Sequence, residues 1–134
     1  ENTSLYYEGE EGEQIESAAY FADVRLTRQQ ARDSAVEMLR GSVAGENIPA
    51  ETIEQAMDAI ETMAGYSITE AEIESLIKAK GFADCVVFLD DDSATVAVSA
   101  PSEGLNEADV SRITEIVLTE TSLDATQIEI IEVK

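Results

Sequence analysis

The sequence predicts an α+β fold in which a three-stranded sheet packs on two helices, preceded by one or two N-terminal helices. Two observations support this prediction. From residue 69 onward, a helical pattern of apolar residues is followed by two short β-rich runs, a second amphipathic helix and a final β-rich run. Before residue 69, apolar residues recur at helical spacing only. The compact part is therefore expected to read helix, strand, strand, helix, strand.

The predicted organisation has three parts: a flexible acidic tether at 1–18, an N-terminal helical extension at 19–66 and the compact domain at 67–134. Residues 1 to 16 contain six glutamates and two glycines. Such a segment has too few apolar groups to offset an ordering cost of about 1 to 2 kcal/mol per residue. Because the chain begins at Glu1 rather than at methionine, we expect it to be a fragment of a longer protein.

The first helix is expected to begin between Ser17 and Thr27, where apolar residues start to recur at helical spacing. Thr27 and Gln30 have the spacing of a capping box. Gly41 ends this helix, because glycine is the preferred residue just after a helix C-terminus.

A second helix is expected from Pro49, which suits a first helical turn, to Gly65. A third helix begins at Thr69, which forms a predicted capping box with Glu72, and ends at Gly81 in a left-handed cap. The pattern thus predicts a break between the second and third helices.

Residues 85–90 and 95–100 are β-rich runs with a polar link, the pattern of a hairpin. A link of two or four residues pairs Leu89 with Val96 and Val87 with Val98. One face of the hairpin then carries Cys85, Val87, Leu89, Val96, Val98 and Ala100. The other face carries Val86, Phe88, Ala97 and Ser99.

After the hairpin, Asn106 is the predicted N-cap of a fourth helix, and Asp109 complements the helix dipole in its first turn. The last strand is expected at 127–134. Its alternation breaks at Ile130 and Ile131, so it places apolar groups on both faces of the sheet.

Composition excludes several classes of function. Eight Lys and Arg stand against 29 Asp and Glu, a formal charge of -21, so nucleic acid and anionic membrane surfaces would be repelled. The chain has no histidine, which removes the usual zinc ligand and every Ser-His or Cys-His nucleophile. The single cysteine, Cys85, is expected to be a buried structural thiol. We predict no catalytic, cofactor-binding or metal-binding residue, and hence no enzyme.

The acidic run Asp90, Asp91 and Asp92 raises the alternative of a calcium-binding or ligand-binding domain. Calcium loops place their carboxylates at alternate positions and include a glycine, whereas these three are contiguous. Asp and Ser are favoured in turns, and a solvated hairpin turn is therefore the preferred interpretation. A carboxylate-dependent enzyme is a third hypothesis with no support from the sequence.

Two amphipathic helices cover one face of a three-stranded sheet, which leaves the second face to be explained. Val86, Phe88 and Ala97 are apolar on that face, and we predict them as a partner interface because exposed apolar strips mark contacts. The alternative is that the first or the second helix folds over this face and covers it.

Three segments resemble the extracytoplasmic part of the stage III sporulation protein AH family. They are FADVRLTRQQARDSAVEMLR at residues 21 to 40, the acidic helix around residues 70 to 74, and ESLIKAKGFADCVVFLDDDSATVAVSA at residues 74 to 100. The likeness extends from about residue 20 to residue 134, and LIKAKGFADCVVF is its most specific piece.

The resemblance implies a ring-building motif, similar to domains of flagellar basal-body and type III secretion ring proteins. It also implies an N-terminal anchor in the mother-cell membrane and a domain that projects into the intermembrane space facing the forespore. The implied partner is the ectodomain of stage II sporulation protein Q, in a channel complex of an endospore-forming bacterium, with possible homo-oligomeric rings. The expected function is that of a non-enzymatic assembly component.

Overall fold

In residues 10–134, three helices and three strands follow one another in the predicted order. The structure is a computed structural model that describes the backbone of residues 10–134 and the side chains from residue 17 onward. Its elements are α1 (Glu10–Ser42), α2 (Ala50–Ala79), β1 (Cys85–Leu89), β2 (Ala94–Ser99), α3 (Glu107–Glu120) and β3 (Ile128–Val133), with a 3₁₀ turn at Ala125–Gln127. The order from α2 onward confirms the predicted α-β-β-α-β arrangement.

The first helix begins earlier than predicted. α1 starts at Glu10, not between Ser17 and Thr27, so Thr27 lies inside a helix and caps nothing. The glutamate-rich sequence has favourable helix propensity, which the tether prediction did not weigh. Residues 1–9 of the predicted tether lie outside the described residues.

The predicted break at Gly65 is wrong, because the second and third helices are one continuous element, α2. A glycine in an exposed helix interior costs only about 1 kcal/mol. Packing of α2 against α1, β1 and α3 outweighs that cost, and the capping signals at Thr69 and Glu72 are unused. The predicted division of the chain into three parts is not tested and stays a prediction.

The sheet has the order β1-β2-β3, with β2 antiparallel to β1 and parallel to β3. Val87 pairs with Val96, so the predicted pairing of Val87 with Val98 was wrong by two residues. β1 ends at Leu89 and β2 begins at Ala94, because the carboxylate of Asp90 closes the turn and accepts from the N–H of Ser93 at 2.8 Å. A shift of two residues leaves every side chain on its predicted face.

The predicted start of the helix after the hairpin is confirmed. Asn106 accepts from the N–H of Asp109 at 2.8 Å, and the carboxylate of Asp109 accepts from the N–H of Asn106 at 3.2 Å. This reciprocal capping box satisfies two backbone donors at the start of α3. α3 then returns the chain so that β3 runs parallel to β2.

The main core lies between the sheet and the two helices α2 and α3. Cys85 is fully buried in it, which confirms the predicted structural thiol, and burial raises the pKa of that thiol to about 12. The other buried members are Ile73, Ile77, Val87, Leu89, Ala94, Val96, Val98, Ile113, Ile116 and Val117.

α1 covers part of the second face of the sheet. Phe21 of α1 is completely buried against Val86 and Ala97, and Val24 packs beside them. The alternative in which a helix folds over this face is therefore the one observed. Within the described residues, no helix is both long and apolar enough to cross a membrane.

Replacing Gly65 with alanine should stabilise the protein by about 0.5 to 1 kcal/mol, because Gly65 is helical and a Cβ there meets no atom within 4 Å. Urea unfolding measures the change in the free energy of unfolding. Gly81→Ala is the matched control: Gly81 has a φ of 105°, so alanine there should cost about 1 to 2 kcal/mol. A loss of stability in Gly65→Ala would contradict a continuous α2.

Candidate protein interface

The outer edge of β1 is covered by side chains rather than by another strand. The N–H of Val87 donates to Oε2 of Glu74 at 2.8 Å, and the N–H of Leu89 donates to Oε2 of Glu70 at 2.8 Å. Both acids belong to α2 and both are buried. They satisfy edge donors that would otherwise be open to another strand.

The carbonyl groups on the same edge are bound by α1. Arg25 donates to the C=O of Cys85 at 2.7 Å, and Arg28 donates to the C=O of Val87. Arg25, Arg28 and Arg32 are spaced by three and four residues, so they project from one side of α1. This side of α1 therefore lies along the β1 edge and α2.

Ion pairs join the arginines of α1 to the acids of α2. Arg28 donates to Glu74 at 2.9 Å and lies 3.4 Å from Glu70, while Arg32 donates to Oε2 of Glu70 at 2.7 Å. The hydrogen bond to Glu70 raises the pKa of Arg32, against the opposing effect of burial. The side chain of Glu70 has no exposed surface, and a carboxylate so buried requires partners of opposite charge.

Asp84 extends this network to the start of β1. Its carboxylate pairs with Arg25, accepts from the N–H of Cys85 at 2.8 Å and lies 3.6 Å from Lys78. Burial raises the pKa of Asp84, but the hydrogen bonds from Arg25 and Cys85 outweigh burial and hold it below its usual value. This contribution to stability is therefore present above the unfolded-state pKa and is lost as pH falls through the lowered, folded-state pKa.

The edge of β3 differs from the edge of β1. The C=O of Val133 accepts from the N–H of Ala100 at 2.9 Å, so Val133 directs its backbone groups toward β2. Neighbouring residues of a strand point in opposite directions, and Ile130 and Glu132 therefore direct their N–H and C=O groups outward. In residues 17–134, no hydrogen bond reaches these outward groups. The β3 edge is thus open to a further strand.

The three predicted interface residues have unequal access to a partner. Val86 is 0% exposed and Ala97 is 1% exposed, both beneath Phe21, so a partner reaches them only if α1 leaves the sheet. Phe88 is half-buried beside Val24. Contact between any of these residues and a partner stays a prediction.

Phe88 borders an open groove between α1 and the sheet. The groove has a volume of about 390 Å³ and is lined by Val24, Thr27, Arg28, Ala31, Arg32 and Phe88. Arg28 lies over the ring of Phe88, with 5.9 Å between the guanidinium carbon and the ring centroid. On the same face of the sheet, Ile131 of β3 is 40% exposed.

The acidic run forms a turn, as the preferred interpretation predicted. Asp90 Oδ1 accepts from the N–H groups of Asp92 and Ser93 and from the hydroxyl of Ser93. The bonds from Asp92 and Ser93 lower the pKa of Asp90. Among the described residues, no three His, Cys, Asp or Glu side chains come together as a metal site.

Asp91 is engaged by α2. The hydroxyl of Tyr66 donates to its carboxylate, and this bond raises the pKa of Tyr66 to about 12. Two of the three acidic side chains therefore have structural partners. The turn geometry gives the calcium alternative no support.

A family model described as SpoIIIAH-like protein matches residues 1–130. The chain belongs to the SpoIIIAH-like protein family. This confirms the resemblance that residues 21 to 100 indicated. No curated protein sequence matches the chain at a significant level.

Two solved structures share the fold of this SpoIIIAH-like chain. One is a chain from the structure of the SpoIIQ-SpoIIIAH pore forming complex, with 20% identity and a TM-score of 0.69, covering 84% of this chain and 97% of that one. The other is the type III secretion system protein EscJ of enteropathogenic E. coli, with 21% identity and a TM-score of 0.51, covering 69% of this chain and 62% of EscJ. These matches confirm the predicted α+β ring-building fold.

The network around β1 was missed from the sequence of this SpoIIIAH-like chain, although it left a signal. Glu70 and Glu74 are four residues apart and flank Ile73 on the buried side of α2. Three of the eight cations of the chain, Arg25, Arg28 and Arg32, fall on one side of α1. Acids on a core-facing stripe require cationic partners, so this spacing could have predicted the pairing of the two helices.

Replacing Glu70 with glutamine should destabilise the protein by about 3 kcal/mol, since it leaves Arg32 without its buried counter-charge and Arg28 with Glu74 as its acidic partner. Glutamine keeps an acceptor for the N–H of Leu89, so the loss is mainly electrostatic. Chemical unfolding measures it, with Glu72→Gln on the exposed side of α2 as the control.

The control should change the free energy of unfolding by less than about 0.5 kcal/mol. Equal effects of the Glu70 and Glu72 substitutions would show that the ion-pair network does not hold α1 and α2 to β1.

Proposed function

We propose that this chain is a non-enzymatic assembly component of the mother cell-forespore channel complex and that it binds the ectodomain of stage II sporulation protein Q. The family match over residues 1–130 carries this proposal. The fold shared with a chain of the SpoIIQ-SpoIIIAH complex supports it. In this proposal the domain is held by an N-terminal anchor in the mother-cell membrane and lies in the intermembrane space.

The proposed docking surface is the open edge of β3. Outward N–H and C=O groups of Ile130 and Glu132 offer ladder hydrogen bonds to a strand of the partner. Ile131, exposed on the adjacent face, offers an apolar contact next to that edge. The β1 edge is already bound by Glu70, Glu74 and the arginines of α1, which leaves β3 as the edge available for pairing.

The groove at Phe88 is a second proposed contact surface on the same molecule. A partner bound in this groove could contact Phe88 while α1 stays in place. Contact with Val86 or Ala97 would require α1 to detach from the sheet. A partner bound along β3 and one bound at Phe88 approach the sheet from opposite edges, so substitutions at the two places separate these alternatives.

Rings of several copies are proposed as the assembled state. The fold shared with EscJ, a type III secretion system protein, supports this part of the proposal. A formal charge of -21 on each copy opposes self-association through repulsion, so ring formation should require salt, the partner or the membrane anchor.

Sedimentation velocity of the chain mixed with the partner ectodomain should show a discrete mixed complex. Glu132→Pro should weaken the complex by about tenfold or more, because proline removes the outward N–H and is tolerated at a strand edge. Glu132→Ala is the matched control, since it removes the carboxylate and keeps the N–H. The alanine variant should bind within about twofold of the unmodified chain.

Equal binding by the proline and alanine variants, together with a loss of binding in Phe88→Ala, would move the docking surface to the groove. Two separate species at low and moderate salt, with the chain shown to be folded by circular dichroism, would contradict the proposed partner.

A further inference from the structure

α2 carries an uncharged stripe on the side turned away from the core. Its members recur every three or four residues, which places them along one line of the helix. They are Ile53, Met57, Ile60, Ala64, Ile68, Ala71 and Ser75, and we call them the α2 stripe. Met57 is 59% exposed and Ile68 is 61% exposed. At about 1.5 Å per residue, the stripe runs for roughly 33 Å.

Among residues 17–134, packing does not account for the exposed members of the stripe. The buried side of α2 consists of Ala56, Glu70, Ile73, Glu74 and Ile77, which point to α1, β1 and α3. Ile53, Met57 and Ile68 lie outside this set, with more than a third of their surface exposed. Several large apolar side chains in one exposed line are typical of a contact surface.

A groove lies at the C-terminal end of the α2 stripe, where α2 meets α3. It has a volume of about 450 Å³ and is lined by Ala71, Glu72, Ser75, Leu76 and Glu120. Leu76 is 40% exposed at this position. The stripe therefore ends in a shallow, open depression next to α3, against which an amphipathic helix can pack.

Charge selects the kind of occupant. Residues 50 to 77 contain no Lys or Arg. The exposed acids of this segment are Glu51, Glu54, Asp58, Glu61 and Glu72, and within the described residues none of them forms an ion pair. A second copy of the chain would bring more acidic groups to this surface, and an anionic membrane would be repelled in the same way.

We infer that the α2 stripe is a docking site for an amphipathic helix of another protein, with an apolar face for the stripe and basic residues for the flanking acids. The site lies on α2, away from the β3 edge, so the inference does not depend on the proposed binding of stage II sporulation protein Q. The matching helix has about 23 residues, set by the length of the stripe.

The test uses a labelled peptide of about 23 residues with leucine at heptad positions a and d and lysine elsewhere. A scrambled peptide of the same composition is its control. Fluorescence anisotropy at about 0.15 M ionic strength measures the dissociation constant for the chain. The patterned peptide should bind at least about tenfold more tightly than the scrambled one.

The double variant Met57→Gln with Ile68→Gln removes the two most exposed large apolar side chains of the stripe, and we call it the stripe pair. Glutamine has good helix propensity and adds no charge. The matched control is the double variant Leu26→Gln with Met38→Gln, which we call the control pair. These α1 residues are 55% and 75% exposed but lie outside the stripe. The stripe pair should weaken binding of the patterned peptide by about tenfold, and the control pair should change it by less than about twofold.

Four outcomes would overturn the inference. Equal binding of the two peptides, or equal effects of the two variant pairs, would show attraction by charge alone. Self-association of the chain that the stripe pair abolishes would make a second copy the occupant. Flotation of the chain with phosphatidylcholine vesicles that depends on Met57 and Ile68 would make a lipid surface the occupant.

Discussion

The buried pairing of Glu70 and Glu74 with the arginines of α1 is the interaction on which the rest of the structure depends. Each carboxylate has two roles, because it accepts from a backbone N–H of β1 and also faces a guanidinium. Neither helix could bring its charges into the interior alone, since a buried charge without a partner costs several kcal/mol. α1, α2 and β1 are therefore held together as one unit, and α1 reaches the second face of the sheet in a fixed position.

This constraint determines which surfaces remain for other molecules. The β1 edge is closed by side chains, and Val86 and Ala97 are covered by Phe21. The β3 edge, the groove at Phe88 and the outward side of α2 stay accessible. Most of the exposed charge is negative, because 29 Asp and Glu stand against eight Lys and Arg in the sequence. A partner for these surfaces is thus selected by backbone pairing, apolar contact and positive charge.

Much of the fold could be predicted from local patterns, and the failures have physical causes. The face of each strand residue followed from alternation, which survives a register error of two residues. The N-cap at Asn106 and the left-handed cap at Gly81 are local signals, and both are present. The break predicted at Gly65 was wrong because the packing of α2 offsets the low helix propensity of glycine. The contact of Phe21 with Val86 and the hydrogen bond from Leu89 to Glu70 could not be predicted, because these partners lie 65 and 19 residues apart in the sequence.

Docking along the β3 edge can be tested by backbone amide hydrogen exchange, measured for the chain alone and in complex with the partner ectodomain. The amides of Ile130 and Glu132 should exchange fast in the free chain and slowly in the complex. The amides of Val87 and Leu89, already bound by Glu74 and Glu70, should be protected in both states. Unchanged exchange in β3, with new protection around Phe88, would contradict the claim that the closed β1 edge leaves β3 as the docking edge.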